Sequence, residues 1–387
     1  SVMASTTGDK KLVVVQLSGG NDYLNTVVPY TDGHYYDFRG SIKIDPEDVI
    51  PIDDEIGLRP GLNSMKRLWD QGKVAIIHGI GYANPNRSHF RSMDIWHTAL
   101  PEDIGNEGWL GRTTRDLDPK GENVLTAVNF GRGLPRALGC RGVPVASVGN
   151  LETYGLFPDM QDEDLRKFAL DTFSKMYGAA GAGGPVMEFL GQTGMDAMKG
   201  ADILRTAVER YQSNVEYAGN SIASSMRDAA QVMFADLGTR IFYTQQGSYD
   251  THAGELATHE KLWSDLDGAI GDFVDDMDEH DVADDTVIMV FSEFGRRIKD
   301  NGSGTDHGSG GVAFLIGNSV KGGQYSYYPS IKEQDHLEGD LRFNNDFRMT
   351  YTTLLEDWFE LDAVPIVNGT FEKFDFFENG NGSNGAH

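Results

Sequence analysis

A single cysteine, Cys140, in 387 residues leaves no partner for an intramolecular disulfide and excludes a thiolate metal cluster. That scarcity does not fix the compartment, since many exported bacterial proteins also lack disulfides. Long apolar runs are missing too: none approaches the roughly 20 residues a spanning helix needs, which excludes a membrane-spanning role. Basic residues are few, 33 against 59 acidic ones, for a formal net charge of -26. Such a surface repels nucleic acid and anionic lipid, keeps copies of the chain apart in solution, and obliges any anionic substrate to find a local cation. No charged segment followed by an apolar stretch opens the chain. Any export signal is therefore expected to have been removed ahead of Ser1 or never to have been there.

The chain is long enough for a full hydrophobic core, as one large α/β domain or two smaller ones. Short apolar runs at 11–18 (KLVVVQLS), 73–79, 124–130, 143–148, 241–244, 286–292 (TVIMVFS) and 312–317 predict buried strands. Helical spacing at 61–71, 88–98, 258–278 and 347–359, and through most of 161–237, fills the intervals, with a Gly-Ala stretch at 178–184 breaking the middle block. Alternation of this kind predicts an α/β fold, with the run at 11–18 as a central parallel strand. Ten acidic residues between Asp265 and Asp285 come without a Lys or Arg. Their spacing does not fit an EF-hand loop, so they are read as a solvated helical face.

Carboxylates and histidines recur where a strand gives way to a loop: Gly-Gly-Asn-Asp at 19–22, Tyr-Asp-Thr-His at 249–252, Ser-Glu-Phe-Gly-Arg at 292–296 and Thr-Asp-His-Gly at 305–308. In an open α/β sheet the ligand crevice lies outside the carboxyl ends of the strands, so these groups can converge, and carboxylate with imidazole suggests a divalent metal. Asp250 and His252, two apart in an extended segment, face the same side and can share one ion. Asp306, adjacent to His307, can ligate or can orient its imidazole. Ser88 opens a helix after a turn-rich segment. It reads either as an N-cap or as a hydroxyl presented to a cleft at the positive end of a helix dipole.

Together with Arg-Ser-His-Phe at 87–90 and Asn-Asp-Phe-Arg at 345–348, these strings occur in the order seen in the bacterial proteins catalogued as domain of unknown function 1501. That family resembles the alkaline phosphatase and sulfatase superfamily, and the likeness runs from about residue 10 to about residue 360. The resemblance implies a three-layer sandwich with a mixed, mainly parallel sheet, one domain over 1–377 with a helical insertion at about 151–237, and a flexible tail at 378–387. It further implies a one- or two-metal hydrolytic site for an anionic ester. Ser88 would be the nucleophile, Asp22 and Glu293 would share one metal with it, Asp250, His252 and His307 would hold the other, and His89 and Arg296 would contact the substrate oxyanion. Zinc or manganese suits the donor set best, with calcium or magnesium as alternatives. Twin-arginine export, and hence a periplasmic or secreted location, also follows from the resemblance.

The sequence departs from the superfamily in two places. The sulfatase string, Cys or Ser followed by x-Pro-x-Arg, is absent around Ser88, and Glu293 is followed by Phe294 where many members carry an Asp-His pair. Two other readings stay open: a non-catalytic binding or surface protein, and a metal-free serine esterase, although no Gly-x-Ser-x-Gly elbow is present.

Overall fold

The computed structural model describes residues 9–154, 162–179 and 184–377. The expected tail at 378–387 and the centre of the Gly-Ala stretch lie outside these residues. The strands are β1 (Lys11–Leu17), β2 (Val27–Val28), β3 (Ile50–Pro51), β4 (Gly57–Leu58), β5 (Val74–Gly81), β6 (Ala127–Phe130), β7 (Ala146–Val148), β8 (Ile241–Gln246), β9 (Thr286–Ser292), β10 (Gly311–Ile316), β11 (Gly323–Tyr325) and β12 (Asn345–Asp346). The helices are α1 (Gly33–Phe38), α2 (Asn63–Asp70), α3 (His89–Thr98), α4 (Trp109–Leu117), α5 (Glu163–Ala179), α6 (Pro185–Arg210), α7 (Ser221–Phe234), α8 (Glu255–Glu279), α9 (Phe347–Thr353) and α10 (Val364–Val367).

The main sheet runs β11-β5-β10-β9-β1-β8-β6-β7, with β12 added beside β5. Only β10 runs against the rest, pairing antiparallel with both β5 and β9. This is the mixed, mainly parallel sheet that the family resemblance implies. Its central strand, β1, is fully covered on both faces. Val13, Val15 and Leu17 face a core shared with α2, α7 and α8, while Leu12 and Val14 face a second core shared with α3, α4, α9 and α10. Two cores on opposite faces of one sheet make three layers. Each fully buried Val or Leu contributes about 1.5–3 kcal/mol, so β1 reads as a continuous apolar run rather than an alternating one. Within the helical block, α7 belongs to the layer over the sheet, burying Ile222, Ala223 and Met226. The small β2-β4-β3 sheet escaped the sequence because two-residue strands carry no periodicity. Among the described residues no helix is long and apolar enough to cross a membrane.

Topology sets where chemistry can occur. The carboxyl ends of β1, β8, β9 and β5 share one edge of the sheet, and because β10 is reversed, its amino end and the 297–310 loop leading into it arrive at that same edge. Just beneath lies His97, 7% exposed, with Nε2 2.7 Å from Gln16 Oε1 and 3.2 Å from the Tyr243 hydroxyl. Burial, assisted by the Arg136 charge, pulls its pKa from 6.5 down to about 4. The depressed value means the unfolded chain takes up the proton first. Stability is therefore full above about pH 6.5 and falls, by roughly 3 kcal/mol from this group, as pH drops towards 4. Urea midpoints at pH 7 and pH 4.5 are expected to converge partly in His97→Gln. An unchanged pH response in that variant would contradict the assignment.

Candidate metal centre

Asp250 stands in the loop after β8, and its Oδ1 is the point on which the site converges. His307 Nε2 lies 3.1 Å away, His252 Nδ1 2.9 Å, His89 Nε2 3.3 Å and Arg296 Nη2 2.7 Å. The His89 and His307 ring centroids are 4.0 Å apart, and Phe294 sits 5.0 Å from each, forming an apolar wall behind both imidazoles. Asp250 Oδ2 makes no hydrogen bond among the described residues, and the side chain is 46% exposed, so the cluster opens to solvent. Burial opposes ionisation of Asp250, but hydrogen bonds from Arg296 and His307 outweigh it and hold the carboxyl at about 2.

The imidazoles are held in defined tautomers. His89 Nδ1 donates to Glu293 Oε1 at 2.8 Å, and His307 Nδ1 donates to the Arg87 carbonyl at 2.7 Å. In the neutral rings this leaves Nε2, turned towards Asp250, as the lone-pair donor, and the 3.1 Å contact of His307 with Asp250 is a hydrogen bond only while that ring also carries a proton on Nε2. His89 Nε2 is buried and has no hydrogen-bond partner among the described residues. A ring whose far nitrogen is fixed by a carboxylate or carbonyl is the usual arrangement of a metal-ligating histidine. Two neutral nitrogens and a carboxylate oxygen within 4.8 Å of one another, with a third imidazole alongside, fit a divalent ion of the zinc type. The hydrogen bond to Glu293 also raises the His89 pKa against the opposing effect of partial burial.

The backbone delivers these groups by close packing of loops. Gly19, at φ +123°, lays its N–H on Glu293 Oε1 at 2.8 Å, and a Cβ there would run into the Tyr249–Asp250 backbone. Helix α3 is docked from the other side: Ser92 Oγ and Trp96 Nε1 donate to the Glu293 carbonyl at 2.7 and 3.0 Å, which fixes His89 at the helix start. The Arg87 guanidinium bonds the buried Asp340 at 2.6 Å, anchoring the carbonyl that holds His307. Ser92, Trp96, Arg87 and Phe294 carried no sequence signal for this role, because each acts through packing or a main-chain atom.

Of the sequence candidates, His89, Asp250, His252 and His307 come together, with Glu293 and Arg296 directly behind them. Glu293 is 2% exposed and supports His89 from behind, and the Arg296 guanidinium is turned inward. Buried at 1%, Arg296 donates to the carbonyls of Gly20, Thr305, Gly19 and Tyr249 and to Asp250, stitching three loops together. Asp22 is elsewhere, with both oxygens bonded to Arg39 at 2.6 and 2.8 Å. Asp306 does not orient His307, whose Nδ1 is taken by the Arg87 carbonyl; among the described residues the Asp306 carboxylate accepts from Asn301 Nδ2 alone, at 3.4 Å. Ser88 is the exposed N-cap residue of α3, yet its side chain makes no capping bond, and its hydroxyl has no partner among the described residues.

A three-layer α/β sheet protein with a histidine–carboxylate cluster at the carboxyl edge is thus defined by its own geometry. Residues 83–343 match the family described as Protein of unknown function (DUF1501), and the chain belongs to that family. No curated protein matches the sequence. Among solved structures, it is similar to the PsFucS1 sulfatase from Pseudoalteromonas sp. (12% identity, 95% of this chain and 71% of that one, TM-score 0.41). It is similar also to the lipoteichoic acid synthase LtaP from Listeria monocytogenes (11%, 84% and 71%, TM-score 0.37). A third likeness is to the C-terminal periplasmic domain of EcEptC from Escherichia coli in complex with Zn (7%, 80% and 74%, TM-score 0.39). These likenesses are remote.

Proposed function

We propose that the chain is a divalent-metal-dependent hydrolase of phosphate or sulfate esters that works outside the cytoplasm. The observation that carries this reading is the convergence of His89 Nε2, His307 Nε2 and Asp250 Oδ1, three lone-pair donors with no proton to share once both rings have given their N–H groups to Glu293 and Arg87. Arg296 balances the charge of Asp250 but offers the two imidazole lone pairs nothing, and a divalent ion would engage all three donors. The ester class comes from the resemblance of the six strings to the alkaline phosphatase and sulfatase superfamily.

Asp250, His89 and His307 would hold the ion, with His252 at the solvent side. When bound, it supplies a Lewis acid for a non-bridging oxygen and lowers the pKa of a hydroxyl nearby. Glu293 and the Arg87 carbonyl keep the two rings in the ligating tautomer. Ser88, one residue before His89, is the proposed nucleophile. Its Oγ would form a bond to phosphorus or sulfur as the bond to the alcohol breaks, and water would then release phosphate or sulfate from the serine. The free N–H groups of the first turn of α3 would face the charge that develops on the transferred group. Arg296 keeps Asp250 in place instead of touching substrate.

The test is metal analysis of protein purified without chelator, followed by a screen of phosphomonoester, phosphodiester and sulfate ester model substrates. Ser88→Ala is expected to lose at least about 100-fold in turnover with metal content unchanged. Hydrolysis that is independent of metal, or untouched by Ser88→Ala, would sink the reading.

A further inference from the structure

The sequence offers two further carboxylates near these strings, Asp22 and Glu293, and both are already fully engaged. Asp22 and Arg39 are each 0% exposed and paired through two bonds, and Arg39 is held further by the carbonyls of Ile298 and Arg297 at 2.7 and 2.9 Å. Glu293 Oε1 accepts from Gly19 N and His89 Nδ1, both at 2.8 Å, and Ser292 Oγ lies 3.1 Å from Oε2. An ion at Asp22 would have to displace a guanidinium that cannot lose its proton. The second guanidinium, Arg296, lies against Asp250 itself. Asp22 and Asp250 therefore each already have a fixed positive charge beside them.

We propose that the centre is mononuclear: one divalent ion held by Asp250, His89 and His307, with the buried guanidinium groups of Arg39 and Arg296 in the electrostatic place of a second ion. The inference rests on the metal-centre reading of the site but not on any activity. The full chain, stripped with a chelator and titrated with Zn2+, is expected to retain one equivalent through gel filtration, counted by elemental analysis. Asp22→Asn, and the Asp22→Asn/Arg39→Met double variant that removes both buried charges, are expected to retain the same equivalent. His307→Ala is expected to lose it. Two retained equivalents in the native chain, or loss of an equivalent in both Asp22 variants, would overturn the mononuclear centre and leave the hydrolase reading standing. No retained equivalent would remove the metal centre and that reading together.

Discussion

Asp250→Asn is expected to lower zinc affinity by more than about 100-fold while leaving the fold intact. Removing a group that merely orients a ligand costs about 10–100-fold. Asp250 is not such a group, because three imidazole nitrogens and Arg296 all lie within 3.3 Å of its Oδ1. The amide keeps the shape and can still accept the Arg296 hydrogen bond, so the loops that Arg296 ties together have no reason to move. What disappears is the negative charge. The guanidinium then faces the ion without a counter-charge, and repulsion adds to the lost ligand. Glu293→Gln is the informative contrast: its carbonyl can still accept from His89 Nδ1, so only the basicity of the ring falls, and affinity should drop within the 10–100-fold range. Competition with a chromophoric chelator measures both, and thermal unfolding of the metal-free variants checks the fold. An Asp250→Asn affinity within about fivefold of the native value would place the ion elsewhere.

The difference between these two carboxylates shows what the sequence could and could not reveal. The strands at 11–18, 241–244, 286–292 and 312–317 were legible because they are buried on both faces and so are largely apolar instead of alternating. The histidine–carboxylate strings were legible because they follow those strands directly. The partner of each acidic group was not. Gly-Gly-Asn-Asp reads the same whether Asp22 meets an ion or the Arg39 guanidinium 17 residues later, since the pairing depends on how α1 folds back over the β1 loop. The imidazole that meets Glu293, His89, is carried in by α3 from 204 residues away. Phe294 packs against both His89 and His307. Spacing along a chain records local geometry, and these contacts are made across the sheet edge.

Arg39→Met is expected to destabilise the native chain by about 3–5 kcal/mol, because it leaves the Asp22 carboxylate buried without its partner. Against a total stability of about 5–15 kcal/mol, that loss decides whether the variant folds at all when warm. The surroundings make the cost harder to avoid. Burial alone would push the Asp22 carboxyl up, and it is Arg39 that outweighs this and holds it well below the usual carboxylate range. The neighbouring Glu255 is already pushed up by burial and by the charge on Asp22, and it donates no positive charge. Without Arg39 the two carboxyl groups are left to face one another in a site closed to water. A group with a depressed folded pKa stabilises above its unfolded value, near 3.8, and loses that contribution as acid protonates it. In Arg39→Met burial instead pushes the Asp22 carboxyl up, so the folded variant takes up a proton before the unfolded chain does, and the deficit should be largest at high pH and shrink as pH falls towards the unfolded carboxylate value. Adding Asp22→Asn removes the buried charge and should restore part of the loss, since a buried pair replaced as a whole costs far less than one that is broken. Urea unfolding followed by the fluorescence of the five tryptophans measures all three proteins. A single variant within about 1 kcal/mol of the native chain, or a double variant no better than the single, would mean that the Glu255 carboxyl and His259 beside Asp22 make good the lost guanidinium.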